Sequence, residues 1–512
     1  MLSQITAPPR AQCHKKGRGV CCRSKRENRK GRDNTVIAAF PDLTKTYTAA
    51  RSEPEPKRYG APTTSFYPPG AYYLASAIYF VARDWVLAWA GFYWLAMLAS
   101  AAAIYGYARR YLSRGASLLA MAIYVFAPYH LLNQYQRGAM AKFASFIWIP
   151  LCLLFAEKLL REDAGKSDRT LDAVGLAASF GAFLWTHPPT AYQFVLVFGS
   201  CLVVQGIRQG KWRELGWIVV SLIFGSMLAA AYFLPAIVEQ RLVNYDDVKR
   251  TWPYHASYVF DFSQKVYDHI SNPFFVRLDR IWAFTTVAIL LGAIAVVVTR
   301  KGNSDRANAS SRSAIQLWAA AGLLASFLMT KYSAPLGRFV PKIELGVFSW
   351  RMLALTSFAL AMLVAAIADC GLRIADWRKI TAAITLAGVL AMSGWYVVWP
   401  IWRGQSFEPK PEHYNYATLP RGASRDNPPM PPVQLASGKD QINIRRWTPE
   451  FRQLRVELND ADQLQFRTRN FAGWTATVDG QIAPIQEGLV KNILVDLPTG
   501  THLITLEFRS TP

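Results

Sequence analysis

The sequence predicts a polytopic α-helical membrane bundle followed by a small all-β, sandwich-like domain. Three observations support this fold class. Of the 512 residues, 52% are hydrophobic and only 18% are charged. Between Trp85 and Trp402, apolar runs recur that approach or reach the roughly 20 residues needed to cross a bilayer. After these runs the pattern changes to short segments of alternating polar and apolar residues, which is typical of β-strands.

The first 58 residues form a strongly basic segment without an apolar export signal, and we expect residues 1–58 to be disordered. The next region, 59–84, contains the apolar stretch 68–82, which opens with two prolines and is short for a span. If Trp85–Ala108 enters the membrane from outside, the basic segment 1–58 would also lie outside. This conflicts with the sequence, because the segment has no apolar signal that would export it. Either stretch 68–82 crosses the membrane, or the N-terminal segment differs from that of related proteins.

The region 85–402 contains ten predicted membrane spans. Every second loop between them is basic, near Arg109, Lys158, Arg208, Arg300 and Arg373. Because basic loops stay in the cytoplasm, these five loops are predicted to be cytoplasmic and the alternate loops external. The predicted spans are Trp85–Ala108, 116–132, 143–155, 171–185, 189–204, 215–237, 281–298, 315–330, 348–368 and 380–401.

The formal net charge of +23 does not indicate a nucleic-acid partner. Most basic residues lie beside apolar spans, where they set the orientation of a membrane protein, so anionic membrane lipid is the expected partner. None of the six cysteines falls in the C-terminal domain, so we predict no disulfide framework there. The chain also has no histidine cluster of the kind that holds a catalytic zinc, and we predict no metal-binding residues.

The C-terminal region contains a linker and a β domain. Residues 403–440 are rich in proline, asparagine and serine, which is typical of a linker. In 441–512, alternating segments are separated by the turn residues Asp479–Gly480 and by Pro498, Thr499 and Gly500. This pattern predicts an antiparallel sheet domain, which the loop-charge rule puts on the external side. The predicted strands are 454–458, 463–467, 475–478, 489–497 and 503–508.

Four polar residues are candidates for substrate binding near the external membrane face: Arg137, His187, Glu239 and Arg351. Ionisable groups at membrane depth are costly and usually have a functional role or a partner. A guanidinium group at this surface suits a lipid phosphate, with which it forms paired hydrogen bonds. The alternative for each residue is simple anchoring at the head-group level, which arginine, tryptophan and tyrosine also favour.

Six short motifs occur in order along the chain: YGAP from Tyr59, APYH from Ala127, YQRGAMA from Tyr135, WTHPPTA from Trp185, FSWRMLAL from Phe348 and AGWTATVDG from Ala472. Together they resemble the motifs of a bacterial family of large membrane proteins called "6-pyruvoyl-tetrahydropterin synthase-related". The resemblance extends from Tyr59 to the C-terminus, and the C-terminal domain is also similar to that of YfhO-like proteins. The architecture in turn resembles the GT-C glycosyltransferases.

The resemblance implies a transferase that takes a sugar from a polyprenyl-phosphate donor and passes it to a cell-envelope acceptor on the external face. In that architecture Arg137, His187 and Arg351 would line the phosphate side, and the segment after Tyr67 would be a juxtamembrane helix. An acidic residue in the first external loop would act as base or metal ligand, which leaves a divalent metal open as cofactor. The chain departs from the pattern here, because residues 1–58 replace the first helix and the acidic loop.

This departure leaves two functions open. Residues 1–58 could come from a frameshift or a wrong start site, and the chain would then be a GT-C transferase of the bacterial inner membrane. If residues 1–58 are genuine, we expect the chain to lack the carboxylate that the resemblance implies, and no catalytic residue is assigned. The alternative is a non-catalytic envelope protein, or a lipid or polysaccharide transport factor, whose external domain binds glycan. Clustering of Arg137, His187, Glu239 and Arg351 would favour the transferase, and dispersed positions would favour the alternative.

Overall fold

The computed structural model describes residues 68–160, 166–243, 257–263, 272–299, 309–338, 348–369, 376–399, 430–438, 442–448 and 450–509. The chain divides into two units, Met1–Pro41 and Asp42–Pro512, and all described residues belong to the second. The predicted basic segment 1–58 and most of the predicted linker 403–440 lie outside the described residues.

The first half of the bundle consists of short and long helices joined by tight connections. Helix α7 continues through a π-helical turn, Val195–Gly199, into α8, and α10 is followed by the 3₁₀ turn Glu239–Leu242. The helices are α1 Gly70–Ala82, α2 Trp85–Ala108, α3 Arg114–Val125, α4 Pro128–Tyr135, α5 Met140–Leu159, α6 Lys166–Thr186, α7 Pro188–Phe194, α8 Ser200–Arg208, α9 Trp212–Leu228 and α10 Ala230–Val238.

In the second half of the bundle the described residues form four helices: α11 Pro273–Thr299, α12 Ala309–Leu328, α13 Leu353–Asp369 and α14 Asp376–Ser393. The 3₁₀ turns Lys331–Arg338 and Ser349–Met352 precede α13, and the π-helical turn Gly394–Val398 follows α14. Every residue of α13 from Leu353 to Ile367 is buried. A helix that is apolar on all sides belongs in the middle of a bundle, and α13 is this central helix.

The chain is a multi-pass membrane protein. Among the described residues, four helical segments are each long and apolar enough to cross a membrane, and six if each bent pair counts as one span. The bent pairs are α3 with α4, at 41°, and α9 with α10, at 73°. All ten predicted spans overlap helices, although some of these helices are shorter than a bilayer requires.

The C-terminal domain consists of two antiparallel sheets. One has the order β1-β4-β8-β7 and the other β2-β3-β9-β5-β6. Alternate residues of both sheets point inward and form a single apolar core, which gives a β-sandwich. The strands are β1 Val433–Leu435, β2 Ile442–Trp447, β3 Phe451–Leu458, β4 Asp462–Arg469, β5 Trp474–Val478, β6 Gln481–Ala483, β7 Gln486–Glu487, β8 Asn492–Leu497 and β9 Gly500–Phe508.

The predicted fold class, a helical membrane bundle followed by a small β domain, is confirmed. One predicted boundary differs from the structure, because β1 lies inside the segment 403–440 that the sequence assigns to a linker. Val433 and Leu435 pair antiparallel with Phe466 and Leu464 of β4. A three-residue strand after a run of prolines shows too little alternation to be recognised in the sequence.

A segment of the bundle takes part in the β-domain core. Val243, directly after the 3₁₀ turn Glu239–Leu242, is buried in the same apolar cluster as the inward-facing residues of both sheets, and Leu242 packs against it. The connection that follows α10 is therefore attached to the C-terminal domain by apolar contacts.

Candidate functional site

Four segments that are distant in sequence meet around one buried lysine. They are the end of α4, the start of α5, the junction between α6 and α7, and the 3₁₀ turn Ser349–Met352. Lys142, on the first turn of α5, is only 1% exposed. Its ammonium group donates to the Thr190 hydroxyl at 2.6 Å and to the carbonyl oxygen of Arg351 at 3.0 Å. Lys142 thus links α5 to α7 and to the turn before α13.

His187 is the residue that begins α7, and two donors meet its Nδ1 atom. The backbone N–H of Thr190 lies 3.2 Å from Nδ1, which is the usual contact of a helix N-cap. The Thr190 hydroxyl lies 2.8 Å from the same atom. Pro188, at the first helical position, has no N–H that would need a partner, which favours a helix start here.

The turn Ser349–Met352 carries a stack of aromatic rings and guanidinium groups. The rings of Phe348 and Trp350 lie 5.1 Å apart and are nearly parallel, at 12°. The guanidinium of Arg137 lies 4.8 Å from the Trp350 ring, and that of Arg351 lies 4.8 Å from the Phe348 ring. Such contacts are worth about 0.5 to 2 kcal/mol each and fix the orientation of the guanidinium plane.

Hydrogen bonds hold this turn and Arg137 in position. Gln193 of α7 donates from Nε2 to the carbonyl oxygen of Phe348 at 3.0 Å. Arg137 donates to the side-chain oxygen of Asn133, one turn earlier, at 2.6 Å. These side-chain hydrogen bonds therefore attach the turn to α7 and Arg137 to α4.

Two buried donors in the cluster have no hydrogen-bond partner among the residues that the structure describes. The Tyr129 hydroxyl and the indole N–H of Trp350 are both buried without an acceptor of hydrogen-bonding geometry. The two rings meet edge to face with centroids 6.4 Å apart. The Lys142 ammonium lies 5.6 Å from the Tyr129 ring. An unsatisfied buried donor is unfavourable, so both groups would gain from an acceptor between them and the cations.

The electrostatic character of the cluster is positive. Arg137, Lys142 and Arg351 lie close enough to His187 to act on it electrostatically. The hydrogen-bond acceptors of Arg137 and Lys142 are all neutral groups within the described part of the chain. Converging guanidinium and amino groups suit an oxyanion, above all a phosphate.

The structure brings together three of the four predicted site residues. Arg137, His187 and Arg351 all belong to the cluster, whereas Glu239 does not contribute to it in the contacts described above. Glu239 begins the 3₁₀ turn whose last residue packs on the β-domain core. Among the described residues, no group of three or more histidine, cysteine, aspartate or glutamate side chains is arranged to hold a metal ion.

No family model matches the chain, and no curated protein matches it by sequence. By structure it is similar to ArnT from Cupriavidus metallidurans, whose crystal structure contains undecaprenyl phosphate. The sequence identity is 13%, and the alignment covers 74% of this chain and 73% of ArnT. The TM-score is 0.36, which indicates only loose agreement between the two chains.

Sequence reasoning missed Lys142, Thr190, Tyr129 and Trp350 as members of the site. Lys142 lies at the start of an apolar run, where a lysine is usually taken as an interfacial anchor. The helical pattern could have identified it, because three residues further on Ser145 is also buried and polar, which puts polar groups on an inward face of α5. Thr190 and the two aromatic residues carry no comparable signal.

Proposed function

We propose that the chain is a membrane glycosyltransferase of the GT-C type that binds the phosphate of a polyprenyl-phosphate sugar donor at the cluster of Arg137, Lys142, His187 and Arg351. One observation carries the proposal: two arginines, a lysine and a histidine from four separate segments converge around the buried side chains of Lys142 and His187. The motifs APYH, YQRGAMA, WTHPPTA and FSWRMLAL supply most of these segments, so the resemblance and the geometry concern the same residues.

The chemistry of transfer explains the need for such a cluster. The acceptor hydroxyl forms a bond to the anomeric carbon of the sugar, and the bond between that carbon and a phosphate oxygen breaks. The lipid phosphate leaves with the electron pair and gains negative charge, which nearby cations stabilise. The hydroxyl proton passes to a base, for which a carboxylate is the usual choice. We assign no residue to this role.

Binding of the donor lipid tests the first half of the proposal. The chain, purified in detergent, is titrated with a polyprenyl phosphate, and the variants Arg137→Gln and Arg351→Gln are compared with Arg208→Gln, an exposed arginine at the end of α8. A charge-assisted hydrogen bond contributes enough that each cluster variant should bind about tenfold to a hundredfold more weakly. The Arg208 variant should bind like the wild type. Equal affinity in all four proteins would contradict the proposed site.

A transfer assay tests the second half. Membranes containing the chain are supplied with a radiolabelled polyprenyl-phosphate sugar, and label is followed into envelope glycolipid or polysaccharide. Transfer that depends on Arg351 supports the glycosyltransferase. Binding without transfer would instead favour the alternative, a non-catalytic lipid-binding or transport protein of the envelope. Both functions require that the cluster faces the external side of a bacterial inner membrane, as the loop charges predict.

A further inference from the structure

His187 is the residue in the cluster most easily taken for a general base, because histidine commonly accepts protons at neutral pH. Its surroundings decide which ring nitrogen carries the proton. The backbone N–H of Thr190 can only donate, and it is shared between the His187 carbonyl oxygen at 3.1 Å and the His187 Nδ1 atom at 3.2 Å. A proton on Nδ1 would oppose this N–H directly, so Nδ1 must be the acceptor.

The Thr190 hydroxyl leads to the same assignment. Its oxygen accepts a hydrogen bond from the Lys142 ammonium at 2.6 Å, and an ammonium group has no lone pair with which to accept. The hydroxyl hydrogen is therefore available for Nδ1 of His187, 2.8 Å away. Lys142, Thr190 and His187 form a directed chain of hydrogen bonds that ends with Nδ1 as acceptor.

The charged groups around His187 act in the same direction. Those that face it are Arg137 after α4, Lys142 on α5 and Arg351 on the turn before α13. Each of the three disfavours a second proton on the imidazole. A neutral imidazole whose Nδ1 is an acceptor carries its one proton on Nε2.

We propose that His187 is a neutral hydrogen-bond donor, with its proton held on Nε2, and that it positions the bound phosphate and does not act as the base of the transfer reaction. The assignment of the proton rests on geometry alone, and its role toward phosphate rests on the proposed function. Thr190 acts through His187 as a positioning residue. No described residue donates to or accepts from Nε2, so this nitrogen is available to a ligand.

The proton position can be measured without any ligand. The ¹⁵N chemical shifts of protonated and unprotonated imidazole nitrogens differ, and the signals of His187 are assigned by their loss in His187→Gln. We expect Nδ1 unprotonated and Nε2 protonated between about pH 5.5 and about pH 8, the range in which an ordinary histidine changes charge. A proton on Nδ1, or titration to the imidazolium within this range, would overturn the proposal.

Two substitutions test the role toward phosphate. His187→Asn retains an acceptor at the δ position and is a good N-cap, but it lacks a donor at the ε position. We expect it to keep the thermal stability of the wild type and to bind polyprenyl phosphate about tenfold more weakly. The ratio of the two affinities should stay constant from about pH 5.5 to about pH 8, because a neutral donor does not titrate there.

The outcomes separate this inference from the proposed function. If the affinity of the wild type divided by that of His187→Asn rises as the pH falls through about 6.5, His187 binds phosphate as a cation, and the inference is overturned. Equal affinity of His187→Asn and wild type, together with weaker binding by Arg351→Gln, would remove the donor role and leave the phosphate site intact. Failure of the wild type to bind any polyprenyl phosphate would instead contradict the proposed function, while the ¹⁵N measurement would still decide the proton position.

Discussion

At the scale of single residues, two histidines show how neighbouring atoms set a charge state. In His187, Nδ1 meets only donors. In His502 of the β domain the situation is opposite, because Nδ1 lies 2.7 Å from a carboxylate oxygen of Asp479 and Nε2 lies 3.1 Å from the carbonyl oxygen of Pro498. Two acceptors favour a proton on each nitrogen. The hydrogen bond to Asp479 accordingly raises the pKa of His502.

The Asp479–His502 pair predicts a pH dependence for the β domain. The backbone N–H of Leu503, and then His502, lower the pKa of Asp479. The contribution of His502 is complete below its unfolded pKa of about 6.5 and is lost as the pH rises through the higher folded value. The contribution of Asp479 is present above about pH 3.9 and is lost as the pH falls through the lower folded value. The Asp479–His502 pair should therefore stabilise the folded domain most between about pH 3.9 and about pH 6.5.

We therefore expect Asp479→Asn to return the pKa of His502 toward its ordinary value in an NMR titration of the full chain. Asparagine tolerates the left-handed backbone at this position, where φ is +52°, so the turn before Gly480 is preserved. The decrease in the thermal unfolding midpoint caused by Asp479→Asn should be largest near pH 5 and should become smaller toward pH 8. Asp460→Asn, at an exposed turn of the same domain, serves as the control. A His502 pKa unchanged by Asp479→Asn would contradict the assignment.

At the scale of helices, glycine determines how closely α6 and α9 can approach. A methyl group on Gly225 would lie 2.7 Å from the carbonyl oxygen of Ala177, and one on Gly181 would lie 2.9 Å from the carbonyl oxygen of Gly225. The two backbones touch at this crossing. Close approach through small residues is a common way for membrane helices to associate, because lipid leaves no hydrophobic driving force between them.

The crossing can be tested with two substitutions on the same helix. Gly225→Ala should lower the stability of the detergent-solubilised chain by about 1 to 3 kcal/mol, because the methyl group meets backbone that cannot move aside. Gly216→Ala adds a methyl group to open space and should leave the thermal unfolding midpoint unchanged or slightly raised. Equal midpoints for the two variants would show that α6 and α9 are not in contact through Gly225.

The sequence predicts elements better than it predicts their junctions. Apolar runs identify the helices, since each run must bury itself in lipid or protein, and the Asp479–Gly480 turn identifies the β5–β6 hairpin. The bend between α9 and α10 has no such signal, because a hydropathy pattern does not detect a break of one residue. The bend between α3 and α4 is marked by Pro128, the first residue of α4, which the apolar run alone does not show. The cluster was predicted in part: Arg137, His187 and Arg351 were recognisable by charge, but Lys142 and Thr190 become meaningful only when four segments converge.

At the scale of the whole molecule, Val243 joins the bundle to the β domain. Its side chain is buried in the domain core together with residues of both sheets. Val243→Asp would bury an unpaired carboxylate there and should destabilise the domain by at least about 2 kcal/mol. We expect faster cleavage between the bundle and the domain in limited proteolysis of the full chain. Ile482→Asp, at a side chain that is 86% exposed on β6, should cleave at the wild-type rate. Equal rates in all three proteins would refute the attachment.

The burial of Val243 in the β domain also limits how many times the chain can cross the membrane between the two. Residue 243 and the strands from Val433 onward lie together, so both belong to the same side of the membrane. The chain between them must then cross the bilayer an even number of times. The described residues of that interval form the four helices α11 to α14, and four crossings satisfy the condition, whereas three do not. The same even count holds whichever side of the membrane carries the β domain.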